Sequence, residues 1–153
     1  MQAANSTTPQ VKIAIIGAGF GGLAMAIRLL QNNIRDFVIL EKASEIGGTW
    51  RENQYPGAAC DVQSHLYSLS FVPKTDWSKR YAEAPEIYQY IQTLTTEHQL
   101  QSYICFHTEV SAAHYLENQC LWQLTLNQNE TLTAQFVIFA SGPLHVPQIP
   151  HIA

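Results

Sequence analysis

Apolar and polar positions change period several times along this chain, and the changes divide it into elements. Val11-Lys12-Ile13-Ala14-Ile15-Ile16 is a β-branched apolar run suited to a strand buried on both faces. Leu23-Ala24-Met25-Ala26-Ile27-Arg28-Leu29-Leu30 consists largely of strong helix formers and is stopped by Asn32-Asn33. Val38-Ile39-Leu40-Glu41 is a second strand, ending on a carboxylate. Pro85-Glu86 opens a helix expected to run through His98: Pro fits a first turn, and Ile87, Ile91 and Leu94 share one face. Tyr103-Ile104-Cys105-Phe106 is a short strand. From His107 to Leu132 the period is two, with Trp122, Leu124 and Leu126 opposed to Gln123, Thr125 and Asn127. Turn residues at Asn118-Gln119 and Asn127-Gln128-Asn129 then predict three short strands in an antiparallel meander with one wet face. Phe136-Val137-Ile138-Phe139-Ala140 is a fully apolar strand stopped by Ser141-Gly142-Pro143.

Between the first strand and the first helix stands Gly17-Ala18-Gly19-Phe20-Gly21-Gly22, a G-x-G-x-x-G turn. Gly17 permits the tight turn, Gly19 lets backbone approach a pyrophosphate, and Gly22 lets helix and strand pack closely. The unpaired N–H groups at the helix start attract phosphate. Glu41 lies 24 residues after Gly17, near the ~20 expected for a carboxylate that accepts from a ribose hydroxyl. A solvated strand end is the alternative for Glu41. The order of elements predicts a three-layer α/β domain: a parallel sheet with helices, and the meander of residues 110–132 on one face. The strand ending at Glu41 is expected between the glycine strand and the strand of residues 103–106. The stretch from Ile46 to Asp61 reads as a long glycine-containing loop, of a length that is usually functional. Ser64 to Phe71, apolar at alternating positions, reads as a short extended segment.

Composition narrows the function. The 153 residues are 46% hydrophobic and 13% charged, which describes one globular domain. The formal charge is −4 with scattered basic residues, against nucleic acid or an anionic membrane as partner. Residues 13–30 are apolar enough to suggest a membrane span, but clustered glycines and Arg28 argue against one. Residues 1–10 form a polar leader without the basic residues of a signal peptide. Cys60, Cys105 and Cys120 lack C-x-x-C spacing, which suits a reducing cytoplasm and makes Cys60 a small packed residue rather than a redox centre. The six histidines show no ligand spacing, so no metal site is expected, and no G-x-S-x-G elbow is present.

Gly17 to Gly22, Glu41, Gly47-Gly48-Thr49-Trp50, Tyr55-Pro56-Gly57, Cys60-Asp61 and Ser64-His65-Leu66-Tyr67-Ser68 resemble the FAD-binding part of Baeyer–Villiger monooxygenases, the class B flavin monooxygenases. Asp76-Trp77-Ser78, Arg80-Tyr81, Pro85-Glu86-Ile87 and Ala140-Ser141-Gly142-Pro143-Leu144 extend the resemblance over residues 11–150, the expected FAD-binding domain. The F-x-G-x-x-x-H signature, the NADPH domain and the active-site arginine of that family have no counterpart here. The resemblance therefore implies the N-terminal portion of a larger enzyme, inactive alone, with an apolar free edge beside residues 136–140 that favours association. It implies FAD and NADPH as cofactors, O2 as co-substrate, and oxygen insertion into a ketone by a peroxyflavin. An N- or S-oxidising relative acting on a heteroatom, or a non-catalytic nucleotide-binding module, are the alternatives. By the same resemblance Gly17, Gly19, Phe20, Gly21 and Gly22 bind pyrophosphate, Glu41 the adenosine ribose, and Gly48, Thr49 and Trp50 the flavin side. Val62 and Tyr67 complete the lining, and the backbone of Val110 meets adenine unless Val110 is an ordinary strand valine. Asp61 is the candidate catalytic residue, paired with the arginine supplied from elsewhere to orient it; a local turn bond is its alternative.

Overall fold

The computed structural model describes residues 10–127, 129–144 and 148–152. In chain order they form β1 (Gln10–Ile16), α1 (Phe20–Gln31), β2 (Phe37–Leu40), α2 (Thr49–Glu52), α3 (Ala84–Glu97), β3 (Ile104–Cys105), β4 (Val110–Leu116), β5 (Leu121–Leu126) and β6 (Glu130–Phe139). The strands make one sheet in the order β3-β2-β1-β6-β5-β4. β1 runs parallel to β2, in the register Ile13 opposite Phe37, and parallel to β6, with Ile16 opposite Phe139. β2 lies between β1 and β3, as the sequence order predicts. Residues 1–9 of the expected leader, and Gln128 of the second meander turn, lie outside the described residues; Gln10 already belongs to β1 and pairs with Thr133.

From Ile13 to Ile16 β1 is apolar because its two faces enter two cores. Ile13 and Ile15 pack with Leu23 and Ile27 of α1, Ile39 of β2, and Ile87, Ile91 and Leu94 of α3. Ala14 faces the other way, with Leu40, against Leu124, Leu126, Leu132 and Ala134 of the meander. Helices, sheet and meander are thus the three layers expected. The residues from 13 to 30 are β1, a turn and α1, and no helix among the described residues is long and apolar enough to cross a membrane.

Four expectations need correction. The third meander strand and the apolar strand of residues 136–140 are one ten-residue strand, β6, whose first half pairs antiparallel with β5 and whose later half pairs with β1. Thr133-Ala134-Gln135 holds no turn residue, so nothing breaks the chain there. The loop of residues 46–61 contains a helical turn, α2, opened by Gly48 at φ +50°. Ser64–Leu66 is a 3₁₀ turn rather than extended, with the buried Ser64 hydroxyl donating to the Lys79 carbonyl at 2.6 Å. Tyr103 ends a second 3₁₀ turn, Leu100–Tyr103, which leaves β3 only two residues.

Beyond Ala134, β6 diverges from β5, so residues 136–139 have a strand partner on the β1 side alone among the described residues. Phe136 is 57% exposed and Phe139 62% exposed beside that edge.

Candidate functional site

The carboxyl ends of β1, β2, β3 and β6 open onto one cleft of about 880 Å³, the place where parallel α/β sheets bind ligands. Its floor is the glycine turn. Gly17 sits at φ +104°, and its N–H donates to the Leu40 carbonyl at 2.9 Å. A Cβ on Gly17 would stand 2.7 Å from the Ala140 oxygen, so β1, β2 and the end of β6 close on a residue without a side chain. Gly22 is tighter still: a Cβ there would lie 1.9 Å from the Gly17 oxygen. Gly19 differs from both. A Cβ there would meet only the Gly48 Cα, at 3.8 Å, and would otherwise stand in open space. Gly19 caps α1 without a side-chain hydrogen bond, and the first turn of α1 has no acidic residue. The cleft therefore meets bare backbone and unpaired N–H groups at a helix start, the arrangement that receives a phosphate. Gly47 ties the second glycine segment to the first, donating its N–H to the Ala18 carbonyl at 3.0 Å.

Glu41, just past the end of β2, is 5% exposed. Its Oε2 accepts the Ala18 N–H at 2.7 Å and its Oε1 accepts the Ala43 N–H at 3.0 Å, while Arg51 Nη1 lies 3.9 Å away. Each oxygen retains a lone pair, so the carboxylate is fixed without being saturated. The far wall is aromatic. Trp50 Nε1 donates to the Tyr67 hydroxyl at 3.1 Å, their rings meet edge to face at 5.5 Å, and Phe20 meets Tyr67 at the same distance. Burial pushes the Tyr67 hydroxyl above its usual range, with the N–H from Trp50 acting in the opposite direction. Below, Tyr90 donates to the Val72 carbonyl at 2.6 Å and accepts the Leu69 N–H at 3.0 Å.

Of the residues singled out from sequence, Gly17, Gly19, Phe20, Gly21, Glu41, Gly48, Thr49, Trp50, Asp61, Tyr67 and Val110 line this cleft. Gly22 lies beneath the turn, where it serves helix packing, and Val62 is 40% exposed and off the lining. Asp61 is exposed and has no ion pair or hydrogen bond among the described residues. Cys60 before it is buried in the main core and unpaired, its Sγ accepting the Val62 N–H at 3.3 Å. No three His, Cys, Asp or Glu side chains gather as a metal site among the described residues. Sequence reasoning passed over Lys42, Arg51, Thr108, Glu109 and residues 141–144, which also line the cleft. The rule that ligands bind beyond strand carboxyl ends would have found all of these but Arg51, since they follow β2, β3 and β6.

Comparison with known proteins places this geometry. A Baeyer-Villiger monooxygenase of Streptomyces coelicolor is 43% identical over 142 residues, which is 93% of this chain and 27% of that protein. Another, from Pseudomonas aeruginosa, is 45% identical over 141 residues, 92% of this chain and 27% of the relative. Among solved structures, closed cyclohexanone monooxygenase superposes with a TM-score of 0.87 at 36% identity, over 95% of this chain and 28% of its own. OTEMO in complex with FAD and NADP superposes at 0.86 with 33% identity, over 95% and 28% of the two chains. The chain thus spans about a quarter of the length of these relatives, and the monooxygenase resemblance carried by Tyr55-Pro56-Gly57 and Cys60-Asp61 holds over nearly all of it. A family model described as "Pyridine nucleotide-disulphide oxidoreductase" matches residues 14–153, and the chain belongs to that family.

Proposed function

We propose that residues 11–150 are the FAD-binding portion of an NADPH- and O2-dependent flavin monooxygenase that converts ketones to esters. The observation that carries this reading is the bare backbone where Gly19 faces Gly48, a cradle that a Cβ would fill, bounded by an unpaired helix start and the Glu41 carboxylate. The dinucleotide is an extended ligand with a diphosphate centre, and those residues fit it. FAD held there supplies the oxygen-activating chemistry. The α1 N–H groups would take the pyrophosphate, and Glu41 would accept from the adenosine ribose. Gly48, Thr49 and Trp50 would run along the flavin, with Tyr67 behind Trp50. Asp61 would offer its carboxylate to an arginine from another part of the enzyme, turning the guanidinium towards the reacting oxygen. The names of the relatives favour ketones over heteroatoms as substrates. A cytoplasmic location belongs to the same proposal, supported by three unpaired cysteines.

The test has two stages. The chain is mixed with FAD, desalted and examined for retained yellow absorbance at stoichiometric occupancy; an absence of bound flavin overturns the reading. The enzyme containing this domain is then supplied with NADPH, O2 and phenylacetone. Ester formation with equivalent NADPH consumption supports it, no ester from any ketone overturns it, and sulfoxide from a thioether in place of ester moves the substrate class to heteroatoms.

A further inference from the structure

The side chain of Arg51 is 12% exposed although it stands on a four-residue helix at the cleft rim. A guanidinium so covered needs a reason. It donates to the Glu45 carbonyl and to the Glu52 carboxylate, and it lies 3.9 Å from Glu41 Oε1. The place is built for it. Gly47, at φ +117°, has no room for a side chain: a Cβ would stand 2.6 Å from the Tyr88 ring and 3.1 Å from the Arg51 Cβ. The Tyr88 hydroxyl donates to Glu45 Oε2 at 3.2 Å, which fastens the segment carrying the Glu45 carbonyl to α3.

Arg51 is the one basic side chain within ion-pair distance of Glu41 among the described residues. Lys42 follows Glu41 in sequence and lines the cleft without pairing with it. The other charged groups near Arg51, Glu45 and Glu52, are acids. A carboxylate with 7% of its side chain exposed is costly unless a cation and hydrogen bonds offset its desolvation. The Ala18 and Ala43 N–H groups supply two hydrogen bonds, and Arg51 supplies the charge.

We infer that Arg51 is a positioning residue for nucleotide recognition: it holds the Glu41 carboxylate turned so that its free lone pairs accept both hydroxyls of the adenosine ribose. This rests on the FAD reading above. Its particular content is that discrimination for a cis-diol depends on Arg51, a residue that need not touch the nucleotide.

The experiment measures displacement of FAD from the FAD-loaded protein by ADP and by 2′-deoxy-ADP, through recovery of flavin fluorescence. ADP should bind about tenfold tighter than 2′-deoxy-ADP in the parent protein, the size expected of a hydrogen bond to a charged acceptor. In Arg51→Met the gap should close to about threefold or less, with both nucleotides weakened. Arg51→Lys should restore a gap between the two, which a purely structural role for the arginine fork would not do. Glu41→Gln should close the gap, and adding Arg51→Met to it should change little more. A parent-sized gap in Arg51→Met overturns the inference. Should that variant not fold, Arg51→Gln, which removes the charge and keeps a polar side chain, decides: a gap equal to the parent's overturns the inference, and a reduced one supports it. A parent protein that holds no FAD overturns the reading of the cleft instead.

Discussion

The glycines of the turn do different work, and two substitutions separate it. A Cβ on Gly22 would lie 1.9 Å from the Gly17 oxygen, whereas real Cβ atoms essentially never come within 3.0 Å, so α1 and the turn must part by roughly 1.1 Å. The obstacle is backbone at the end of a buried strand and cannot swing aside. Overpacking costs about 1–3 kcal/mol, and a rigid backbone obstacle puts Gly22→Ala at the upper end. Alanine returns up to about 1 kcal/mol through its better helix propensity. The net loss is about 2 kcal/mol, a fall in Tm of about 4–8 °C for a domain of this size. Gly19→Ala meets only the Gly48 Cα at 3.8 Å. It should cost no more than about 1 kcal/mol, from the weaker N-cap, yet its methyl stands where a pyrophosphate would lie. Urea unfolding followed by far-UV circular dichroism, run beside FAD titration, tells them apart. Gly22→Ala should lose stability first; Gly19→Ala should keep its fold and lose FAD by about a hundredfold, the price of a methyl set against a phosphate. A Gly22→Ala variant within about 0.5 kcal/mol of the parent would show that the turn yields more easily than its geometry implies. Parent-like FAD affinity in Gly19→Ala would sink the phosphate cradle.

Four further outcomes follow from other parts of the molecule. Tyr90→Phe should destabilise by about 1–3 kcal/mol in denaturant titrations, because the Leu69 N–H and the Val72 carbonyl lose their partner. Burial raises the Tyr67 and Tyr90 hydroxyls above 10.0, so the unfolded chain ionises first; their contribution is whole below that pH and falls as pH rises above it, and Tyr67→Phe with Tyr90→Phe should flatten the alkaline limb of a stability-against-pH curve. Asp61→Ala should leave stability within about 0.5 kcal/mol, since Asp61 is exposed and unpaired, while ester formation by the enzyme carrying this domain should drop by about two orders of magnitude or more; unchanged turnover would remove Asp61 from the reaction. Phe136→Lys with Phe139→Lys should lower concentration-dependent light scattering of the isolated chain, because both exposed rings border the side of β6 that has no strand partner among the described residues.

What the sequence disclosed depended on how local the cause was. The strand, turn and first helix were legible because an unbroken apolar run, a required positive φ and helix formers act over adjacent residues. The α3 helix was legible for the same reason, ending at Glu97 with His98 as its cap. The fusion of two expected strands into β6 was not, because residues 130–139 change partner rather than conformation, and pairing is a tertiary property. Ser64 to Phe71 misled by apolar alternation, which a 3₁₀ turn anchored through Ser64 to Lys79 overrode. At the site, the glycines, Glu41, Trp50 and Tyr67 were readable from spacing and resemblance. Arg51 was not: its importance comes from a direction, back across Gly47 towards Glu41, which no one-dimensional pattern encodes.

The position of β6 also orders events in time. Among the described residues β1 is the first strand to leave the ribosome, and β6, which pairs along one whole side of it, follows the other five. Until residues 130–139 are available, β1 has β2 alone beside it, Gly17 has no Ala140 carbonyl above it, and the meander has no strand joining it to the parallel sheet. Contacts of such sequence separation form slowly. On the proposed FAD reading, nucleotide would bind once β6 has docked and completed the cleft, and by mass action would hold that strand in place. Synthesis in a flavin-starved cell would then leave a larger share of molecules waiting with an apolar strand end undocked, so flavin supply would govern yield as well as activity.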